Sequence, residues 1–285
     1  MRAQYELIAL DMDGTLLDSG QRISPRAGAA IRALLERGKQ AVFATGRCRP
    51  QLEEYLESFP GMRYLICENG ACVCDLKTGE DLFRRPLAPE AVLQVMDVVW
   101  QVMDAVEGED VLVTFFIGNR SFMDEKSFLR LEEFGLRSYR PVFAKSTVRV
   151  EDLFSFYRDR PLEVEKIGLF FRGKRGGGGS ASVRVQERLR RLPLTLAASA
   201  SGNLEITAQD VNKGTALALL CGHLKLPLSA AAAVGDGAND LTLLRLAGLG
   251  IAMENAPAAV RAAAAETVPD CDHDGAAIAM ERYML

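Results

Sequence analysis

The chain has 285 residues, which is enough for one large domain or two modest ones with buried cores. Hydrophobic residues make up 48% and charged residues 25%, so the composition is that of a soluble globular protein and excludes disordered and collagen-like classes. The formal net charge is -4, and this negative balance disfavours nucleic acid and anionic membrane surfaces as partners.

The most apolar stretch of the chain, VLQVMDVVWQVMDAV, contains Asp97 and Asp104 and therefore does not have the character of a membrane span. Arg2 and Glu6 stand beside a short apolar run at the N-terminus, and no small-residue cleavage site follows that run. We therefore expect a cytoplasmic protein without a membrane partner. The sequence indicates no oligomeric state.

Strands and helices alternate in the first part of the chain. YELIAL predicts a buried strand, and SPRAGAAIRALLERG predicts a helix with Ser24 as its N-cap and Pro25 at its first position. QAVFA predicts a second buried strand that ends before Thr45. A strand, a helix and a strand in this space indicate a right-handed parallel unit, so Asp11, Asp13 and Thr45 would lie at one edge of a sheet.

The pattern changes after a third predicted strand at 64–67 and a predicted hairpin that continues to about residue 85. A helix over about 88–106 is followed by adjacent strands, VLVTFFI and RSFMD, and then by mixed helical and extended pieces. This mixture differs from the regular alternation at both ends of the chain. We predict an inserted α/β domain over 87–196 and a core domain made of 1–86 and 197–285.

Four consecutive glycines, 176–179, lie within the inserted segment in the run RGKRGGGGSAS. Such a run has no side chains to bury and little stiffness, so it predicts a flexible surface loop. It does not match a phosphate-binding loop, because no G-K-[ST] follows the glycines.

Regular alternation resumes at about residue 204. The later elements are predicted as a helix at 212–224, a strand AAAAV, a helix from about 238, a strand GIAM, a helix PAAVRAAAA, a strand near 267–268 and a helix from 273. Together with the first part of the chain, they predict an α/β core with a parallel sheet.

The cysteines are expected to be buried or half-buried thiols in a reducing compartment, because no C-x-x-C pair of the kind used by zinc sites is present. Two of them stand two apart in a strand-like run and should point to the same face. The six are Cys48, Cys67, Cys72, Cys74, Cys221 and Cys271.

Two carboxylates, Asp11 and Asp13, follow the first predicted strand in IALDMDGTLLD. Carboxylates this close at the end of a buried strand repel each other unless a cation lies near them, and oxygen ligands favour Mg²⁺. A calcium loop of the D-x-D-x-D-G type does not fit, because Gly14 comes two residues early and Arg22 stands where the final glutamate should be.

A second acidic cluster follows a small-residue strand in AVGDGANDLTLL. Asp236 lies at the predicted strand end, and Asn239 and Asp240 open the next helix. Helix capping accounts for one of these polar residues. A cluster that faces Asp11 and Asp13 would complete a site made of oxygen ligands.

Lys213 is predicted at the start of a helix, where the helix dipole disfavours a cation. A lysine and a helix N-terminus directed at the same place form an anion site, and Thr45-Gly46 adds a hydroxyl and a backbone N–H. An acidic Mg²⁺ site beside an anion site, with one carboxylate free to attack, suits phosphoryl transfer through an aspartyl-phosphate.

These residues resemble, in order and spacing, the four motifs of the haloacid dehalogenase superfamily: DMDGT at 11–15, ATGR at 44–47, NKG at 212–214 and GDGANDLTLL at 235–244. Three further stretches look like those of its Cof-type phosphatases: ENGA at 68–71, GIAMENA at 250–256 and DHDGAA at 272–277. The resemblance covers the whole chain and implies a Rossmann-like core whose inserted segment is an α/β cap.

The resemblance also implies roles for the site residues. Asp11 would be the nucleophile and Asp13 the general acid and base. Mg²⁺ would be held by Asp11, the backbone carbonyl of Asp13, and Asp236, with Asp240 in support. The transferring phosphoryl group would be bound by Thr45, Gly46, Lys213 and Asn239.

The resemblance implies a Mg²⁺-dependent phosphatase of small phosphorylated metabolites, such as sugar phosphates, nucleotides or pyridoxal phosphate. An aspartate at position 13 favours hydrolysis of the phosphoenzyme, whereas the superfamily's cation pumps have threonine there. A phosphosugar mutase of the same superfamily is an alternative. A third alternative is a non-catalytic regulator that is phosphorylated on Asp11, like a response-regulator receiver. Receivers of that kind are shorter and have no cap.

Overall fold

The computed structural model describes residues 5–106, 109–172, 180–198 and 202–285. The predicted tetraglycine loop at 176–179 lies outside these ranges. The chain divides into two compact units. The first contains the described residues up to Arg47, then Leu52–Arg84 and Val211–Leu285, and the second contains Cys48–Gln51 and Arg85–Asp210. No helix within the described ranges is both long and apolar enough to cross a lipid bilayer.

In chain order, the strands of the described residues are β1 Leu7–Leu10, β2 Gln40–Ala44, β3 Tyr64–Cys67, β4 Cys72–Asp75, β5 Asp81–Arg84, β6 Asp110–Ile117, β7 Arg120–Asp124, β8 Thr147–Val150, β9 Lys166–Arg172, β10 Leu194–Ala197, β11 Asn203–Ala208, β12 Ala231–Gly235, β13 Leu249–Met253 and β14 Glu266–Val268.

The helices of the same residues are α1 Pro25–Glu36, α2 Glu53–Leu56, α3 Pro89–Asp104, α4 Glu125–Leu129, α5 Arg140–Ser146, α6 Leu153–Asp159, α7 Ser180–Leu189, α8 Lys213–Leu224, α9 Leu241–Leu246, α10 Ala258–Arg261 and α11 Gly275–Tyr283.

The first unit contains one sheet, in the order β14-β13-β12-β1-β2-β3-β4-β5. Its strands are parallel from β14 to β3, and β4 and β5 extend it as an antiparallel hairpin. The predicted Rossmann-like parallel core is therefore confirmed. Because Leu10 pairs with both Val234 and Phe43, the carboxyl ends of β1, β2 and β12 lie together at one edge of the sheet.

Apolar side chains from alternate positions of these strands build a core on each face of the sheet. Ile8 and Leu10 pack in one cluster with residues of α1 and α11, and Leu7 and Ala9 pack in the other with residues of α8 and α9. The sheet is thus covered on both faces, as expected for parallel strands that read as continuous apolar runs.

Local signals account for the start of α1. The hydroxyl of Ser24 accepts a hydrogen bond from the backbone N–H of Ala27 at 3.1 Å, and Pro25 is the first helical residue, as predicted. Near the C-terminus the helices are shorter than predicted: α10 is only Ala258–Arg261, and α11 begins at Gly275 because a short 3₁₀ turn occupies Cys271–His273.

The second unit has its own six-stranded sheet, in the order β10-β11-β9-β6-β7-β8. All neighbours are antiparallel except β7 and β8. Its main core includes Phe115 and Tyr157, whose rings meet edge to face at 5.6 Å, and apolar residues of α3 and α7. An α/β inserted segment with adjacent strands matches the fold class predicted from the sequence.

The C-terminal boundary of the inserted segment differs from the prediction of residue 196. That position falls within β10, which pairs with β11, and β11 also pairs with β9. The second unit therefore continues to Asp210, and Asn203–Ala208 belongs to its sheet rather than to the core sheet. The sequence did not show to which of the two sheets this strand belongs, because an alternating strand has the same pattern in either sheet.

Candidate active site

Three of the predicted site residues directly follow parallel strands of the core. Asp11 follows β1, Thr45 follows β2 and Asp236 follows β12. Because the ends of these strands lie at one edge, the loops that carry the three side chains leave the sheet together. The backbone N–H of Asp11 still donates to the carbonyl of Val234 at 3.0 Å, which ties the first loop to the end of β12.

Lys213 lies between two carboxylates. Its ammonium nitrogen, Nζ, is 2.5 Å from Oδ1 of Asp11 and 2.6 Å from Oδ1 of Asp240. Lys213 and Asp240 are fully buried and Asp11 is 6% exposed, so water screens these contacts little. Lys213 is the first residue of α8, whose N-cap Asn212 accepts a hydrogen bond from the Thr215 N–H at 3.0 Å.

Burial and neighbouring charges perturb the pKa values of this group. Burial alone would lower the pKa of Lys213, but the carboxylates of Asp11 and Asp240 raise it above its usual value, so the side chain stays a cation. Burial, followed by repulsion from Asp240, raises the pKa of Asp11 well above its usual range. One ammonium group therefore does not fully compensate the surrounding negative charge.

Asp236 is held by two side chains from the first and last parts of the core. Thr15 donates its hydroxyl to Oδ1 at 2.8 Å, and the Asn255 amide donates to Oδ2 at 3.2 Å. Burial raises the pKa of Asp236 to about 6. Gly14 lies directly against this carboxylate with a φ of +80°, and a Cβ there would be 2.6 Å from Oδ2 of Asp236.

Asp240 uses both carboxylate oxygens within the protein. Oδ1 accepts from Lys213, and Oδ2 accepts from the backbone N–H groups of Asp236 at 3.1 Å and Gly237 at 2.9 Å. This arrangement joins the loop after β12 to the start of α8. It allows Asp240 to orient both Asp236 and Lys213.

A divalent cation fits the donor chemistry of this group. Carboxylate oxygens of Asp11, Asp236 and Asp240 lie within 4.8 Å of one another. Within this group of side chains, three carboxylates face the single ammonium group of Lys213, which leaves an excess of negative charge in a buried place. Oxygen ligands without sulfur or imidazole suit a hard cation such as Mg²⁺.

Asp13 is not one of those three carboxylates. Its oxygens are bound by Arg47, through Nε to Oδ2 at 2.8 Å and Nη2 to Oδ1 at 2.5 Å, and Nη2 also donates to Gln21. Arg47 is buried, whereas the Asp13 side chain is 28% exposed. The carboxylate of Asp13 thus pairs with Arg47, and the ligand predicted at this position is the backbone carbonyl of Asp13.

Two of the predicted phosphate-binding residues, Thr45 and Asn239, are connected through Asn69. Thr45 is buried and its carbonyl accepts from the Asn69 N–H at 3.0 Å, while the Asn239 amide donates to Oδ1 of Asn69 at 3.2 Å. The hydroxyl of Thr45 accepts from the Arg47 N–H at 3.1 Å, which closes the loop around Gly46. The four residues predicted to bind the phosphoryl group, Thr45, Gly46, Lys213 and Asn239, all belong to the first unit.

Several residues of this network were given no role by the sequence. Arg47, Asn69 and Asn255 stand in stretches that carried the family resemblance, and Thr15 stands in the first motif. The motif stretches were therefore the feature of the sequence that could have assigned these residues to the site. The partners of these side chains lie far away in the sequence, so spacing alone could not identify them.

Comparisons with known proteins agree with these motifs. The family model of haloacid dehalogenase-like hydrolases matches residues 8–280. The phosphatase YwpJ of Bacillus subtilis (strain 168) is 27% identical, over 98% of this chain and 100% of its own. The HMP-PP phosphatase of Serratia proteamaculans (strain 568) is 30% identical, over 88% of this chain and 85% of its own. The solved structure of a haloacid dehalogenase-like hydrolase from B. subtilis is 25% identical, covers 98% of this chain and 100% of its own, and has a TM-score of 0.81.

Proposed function

Because the chain belongs to the haloacid dehalogenase-like hydrolase family, we propose that it is a Mg²⁺-dependent phosphatase of small phosphorylated metabolites that works through an aspartyl-phosphate on Asp11. The observation that carries this proposal is the position of Lys213, which joins Asp11 to Asp240 beside the carboxylate of Asp236. A structural ion pair would need no third carboxylate, whereas a phosphoryl-transfer site needs both a cation and a nucleophile.

Asp11 is proposed as the nucleophile. One oxygen of its carboxylate attacks the phosphorus atom as the bond from phosphorus to the leaving oxygen breaks. Lys213 holds Oδ1 at 2.5 Å, so the carboxylate meets the substrate in a fixed orientation. The ammonium group also compensates negative charge on the transferring phosphoryl group.

Asp13 is proposed as the general acid and base. It gives a proton to the leaving oxygen, and in the second step it takes a proton from the water that attacks phosphorus and releases Asp11. Arg47 is proposed to position Asp13, because its buried guanidinium contacts both oxygens of this carboxylate. Such a two-point contact fixes the plane of the carboxylate as well as its location.

The metal would be held by Asp11, Asp236 and the backbone carbonyl of Asp13. When bound, Mg²⁺ supplies positive charge that lowers repulsion between the phosphate and the carboxylates. The hydroxyl of Thr45, the backbone N–H of Gly46 and the amide of Asn239 are proposed to bind the phosphoryl oxygens. Asn69 holds the loops of Thr45 and Asn239 together.

The proposed substrates are small phosphorylated metabolites. The relative from S. proteamaculans is named an HMP-PP phosphatase, and it matches most of this chain. The residues proposed to bind the phosphoryl group suit a sugar phosphate, a nucleotide or pyridoxal phosphate equally, since each of these substrates presents the same phosphate group. A cytoplasmic location stays a prediction from the sequence.

Phosphate release from p-nitrophenyl phosphate and from a panel of phosphorylated metabolites tests the proposal. We expect turnover that requires Mg²⁺ and that is abolished in Asp11→Asn, since the amide keeps the shape but cannot act as the nucleophile. Asp97→Asn, at an exposed position of α3, is the matched control and should retain full activity. A folded wild-type protein that releases no phosphate from any compound would contradict the proposal.

Two further measurements distinguish the phosphatase from the two alternatives. A phosphosugar mutase would return the phosphoryl group to the sugar, so a sugar bisphosphate would activate it and no net phosphate would appear. A phospho-aspartate regulator would keep a stable phosphoryl group on Asp11 without turnover, which mass spectrometry of the intact chain would detect.

A further inference from the structure

Three cysteines and an aspartate come together on the hairpin that extends the core sheet. Cys67 is the last residue of β3, Cys72 and Cys74 lie in β4, and Asp81 is the first residue of β5. Cys67 is paired with Cys72 across β3 and β4, and Cys74 is paired with Asp81 across β4 and β5. Because residues two apart in a strand face the same side, Cys72 and Cys74 share one face of the sheet.

The side chains of Cys72, Cys74 and Asp81 are in contact. Sγ of Cys72 is 3.4 Å from Sγ of Cys74, and each of these thiols is 3.2 Å from Oδ1 of Asp81. Cys67 lies beside them as the cross-strand partner of Cys72. All three cysteines are at most 1% exposed, so their thiols are protected from solvent.

Arg84 orients the carboxylate toward the thiols. Its Nε donates to Oδ2 of Asp81 at 3.0 Å, and its second guanidinium nitrogen contacts the same oxygen. Oδ1 is therefore the oxygen directed at Cys72 and Cys74. An outer partner that fixes a carboxylate in this way is typical of the shell around a bound metal.

We propose that Cys72, Cys74 and Asp81, whose ligand atoms lie within 4.8 Å of one another, bind a soft divalent cation of the Zn²⁺ type, with Cys67 from the neighbouring strand as the fourth ligand. Zn–S bonds of about 2.3 Å in a tetrahedral site place neighbouring sulfur atoms about 3.8 Å apart. The sulfur atoms of Cys72 and Cys74, at 3.4 Å, need to separate by only a few tenths of an ångström to accept such an ion. Each coordinating thiol releases its proton to solvent as the metal binds.

The proposed site differs in chemistry from the acidic cluster at Asp11. Thiolate ligands favour Zn²⁺ over Mg²⁺, whereas a site of oxygen atoms has the opposite preference. The two sites should therefore take different metals from the same solution. The sequence did not predict this site, because the pattern lacks a C-x-x-C pair and Cys67 joins it only through strand pairing.

A cation here would also stabilise the turn between β3 and β4. Cys67 and Cys72 flank the turn at Glu68–Gly70, which contains Asn69, the residue that joins Thr45 to Asn239. A metal bound at both ends of this turn would restrict its opening. The role of the metal is thus structural, because none of its ligands belongs to the proposed catalytic group.

Cd²⁺ titration of reduced, EDTA-stripped protein tests the proposal, because Cd–thiolate bonds absorb in the ultraviolet. We expect an absorption that saturates at about one Cd²⁺ per chain. In Cys74→Ser the affinity should fall by at least about tenfold. Cys221→Ser removes a buried thiol elsewhere in the same unit and should leave the titration unchanged. Asp11→Asn should also leave it unchanged, which separates this site from the acidic cluster.

Alkylation of the wild-type protein gives a second test that needs no variant. In partial denaturant, Zn²⁺ should slow the modification of Cys67, Cys72 and Cys74 relative to Cys221, as measured by peptide mass spectrometry. The proposal is overturned if Cd²⁺ produces no thiolate absorption, if Zn²⁺ protects all cysteines equally, or if the reduced chain forms a disulfide among the three cysteines instead of binding metal.

Discussion

Lys213 and Asp11 are 202 positions apart in the chain, yet Nζ of the lysine lies 2.5 Å from Oδ1 of the aspartate. The contact forms because Asp11 directly follows β1, at the edge of the sheet at which α8 begins. Lys213 also contacts Asp240 at 2.6 Å, so it is bound on two sides by carboxylates. This pair links the stability of the core to the proposed chemistry.

Replacement of Lys213 should therefore lower both the stability of the core and the phosphatase activity. In Lys213→Met the buried carboxylates lose their ammonium partner, and we expect the free energy of unfolding to fall by about 3–5 kcal/mol. The kcat/KM for phosphate release should fall by at least about 100-fold, because charge on the phosphoryl group is no longer compensated. Urea unfolding and a phosphatase assay measure the two effects.

The control for this prediction is Lys77→Met, since Lys77 is exposed in the turn between β4 and β5. That variant should match the wild type in both measurements. Wild-type activity in a folded Lys213→Met protein would remove Lys213 from the proposed phosphoryl-binding group.

Arg47→Lys should impair the step that needs a proton at the leaving oxygen. Lysine keeps the charge but cannot contact both oxygens of Asp13, so Asp13 would be less well oriented. We expect kcat to fall by about 10- to 100-fold for an alkyl phosphate and much less for p-nitrophenyl phosphate, whose leaving group needs little protonation. Arg22→Lys, at a side chain that is 79% exposed, is the control. Equal losses for both substrates would argue against a role through Asp13.

Gly14→Ala should weaken the metal site by displacing Asp236. A Cβ at Gly14 would be 2.6 Å from Oδ2 of Asp236, and φ is +80° there. Gly79→Ala is the matched control, because Gly79 has a φ of +78° but no atom within 4 Å of its added Cβ. Both variants should lose about 1 kcal/mol of stability from backbone strain. Only Gly14→Ala should also raise the Mg²⁺ concentration needed for half-maximal activity, and a similar rise in Gly79→Ala would contradict this account.

Mg²⁺ dependence should vary with pH through Asp236. Burial raises the pKa of this carboxyl group to about 6, so in metal-free protein it gains a proton as the pH falls below that value. Mg²⁺ binds the deprotonated form, so protonation of Asp236 alone should lower its apparent affinity by up to about tenfold for each pH unit below 6. Protonation of Asp11, a second proposed ligand whose pKa is raised by burial, adds to this loss. Calorimetric titration of the protein with Mg²⁺ at several pH values measures this. An affinity that stays constant between pH 7 and 5 would be incompatible with the prediction.

Much of the core could be predicted from local patterns. The parallel strands read as short apolar runs, and the N-cap Ser24 and Pro25 mark the start of α1. Carboxylates and small polar residues after those strands predicted the edge at which Asp11, Thr45 and Asp236 now lie. These inferences succeed because strand ends and helix caps depend on residues that are close together in the chain.

Only the tertiary structure decided which side chains meet. The pairing of Arg47 with Asp13, the contact of Asn255 with Asp236 and the pairing of Cys67 with Cys72 depend on strand order and register, which local sequence does not encode. The assignment of Asn203–Ala208 to the second sheet has the same cause. By itself the sequence determined the family, the alternating core and the candidate catalytic residues, because these are carried by short motifs. The partners that orient those residues were decided by packing, because they come from distant parts of the chain.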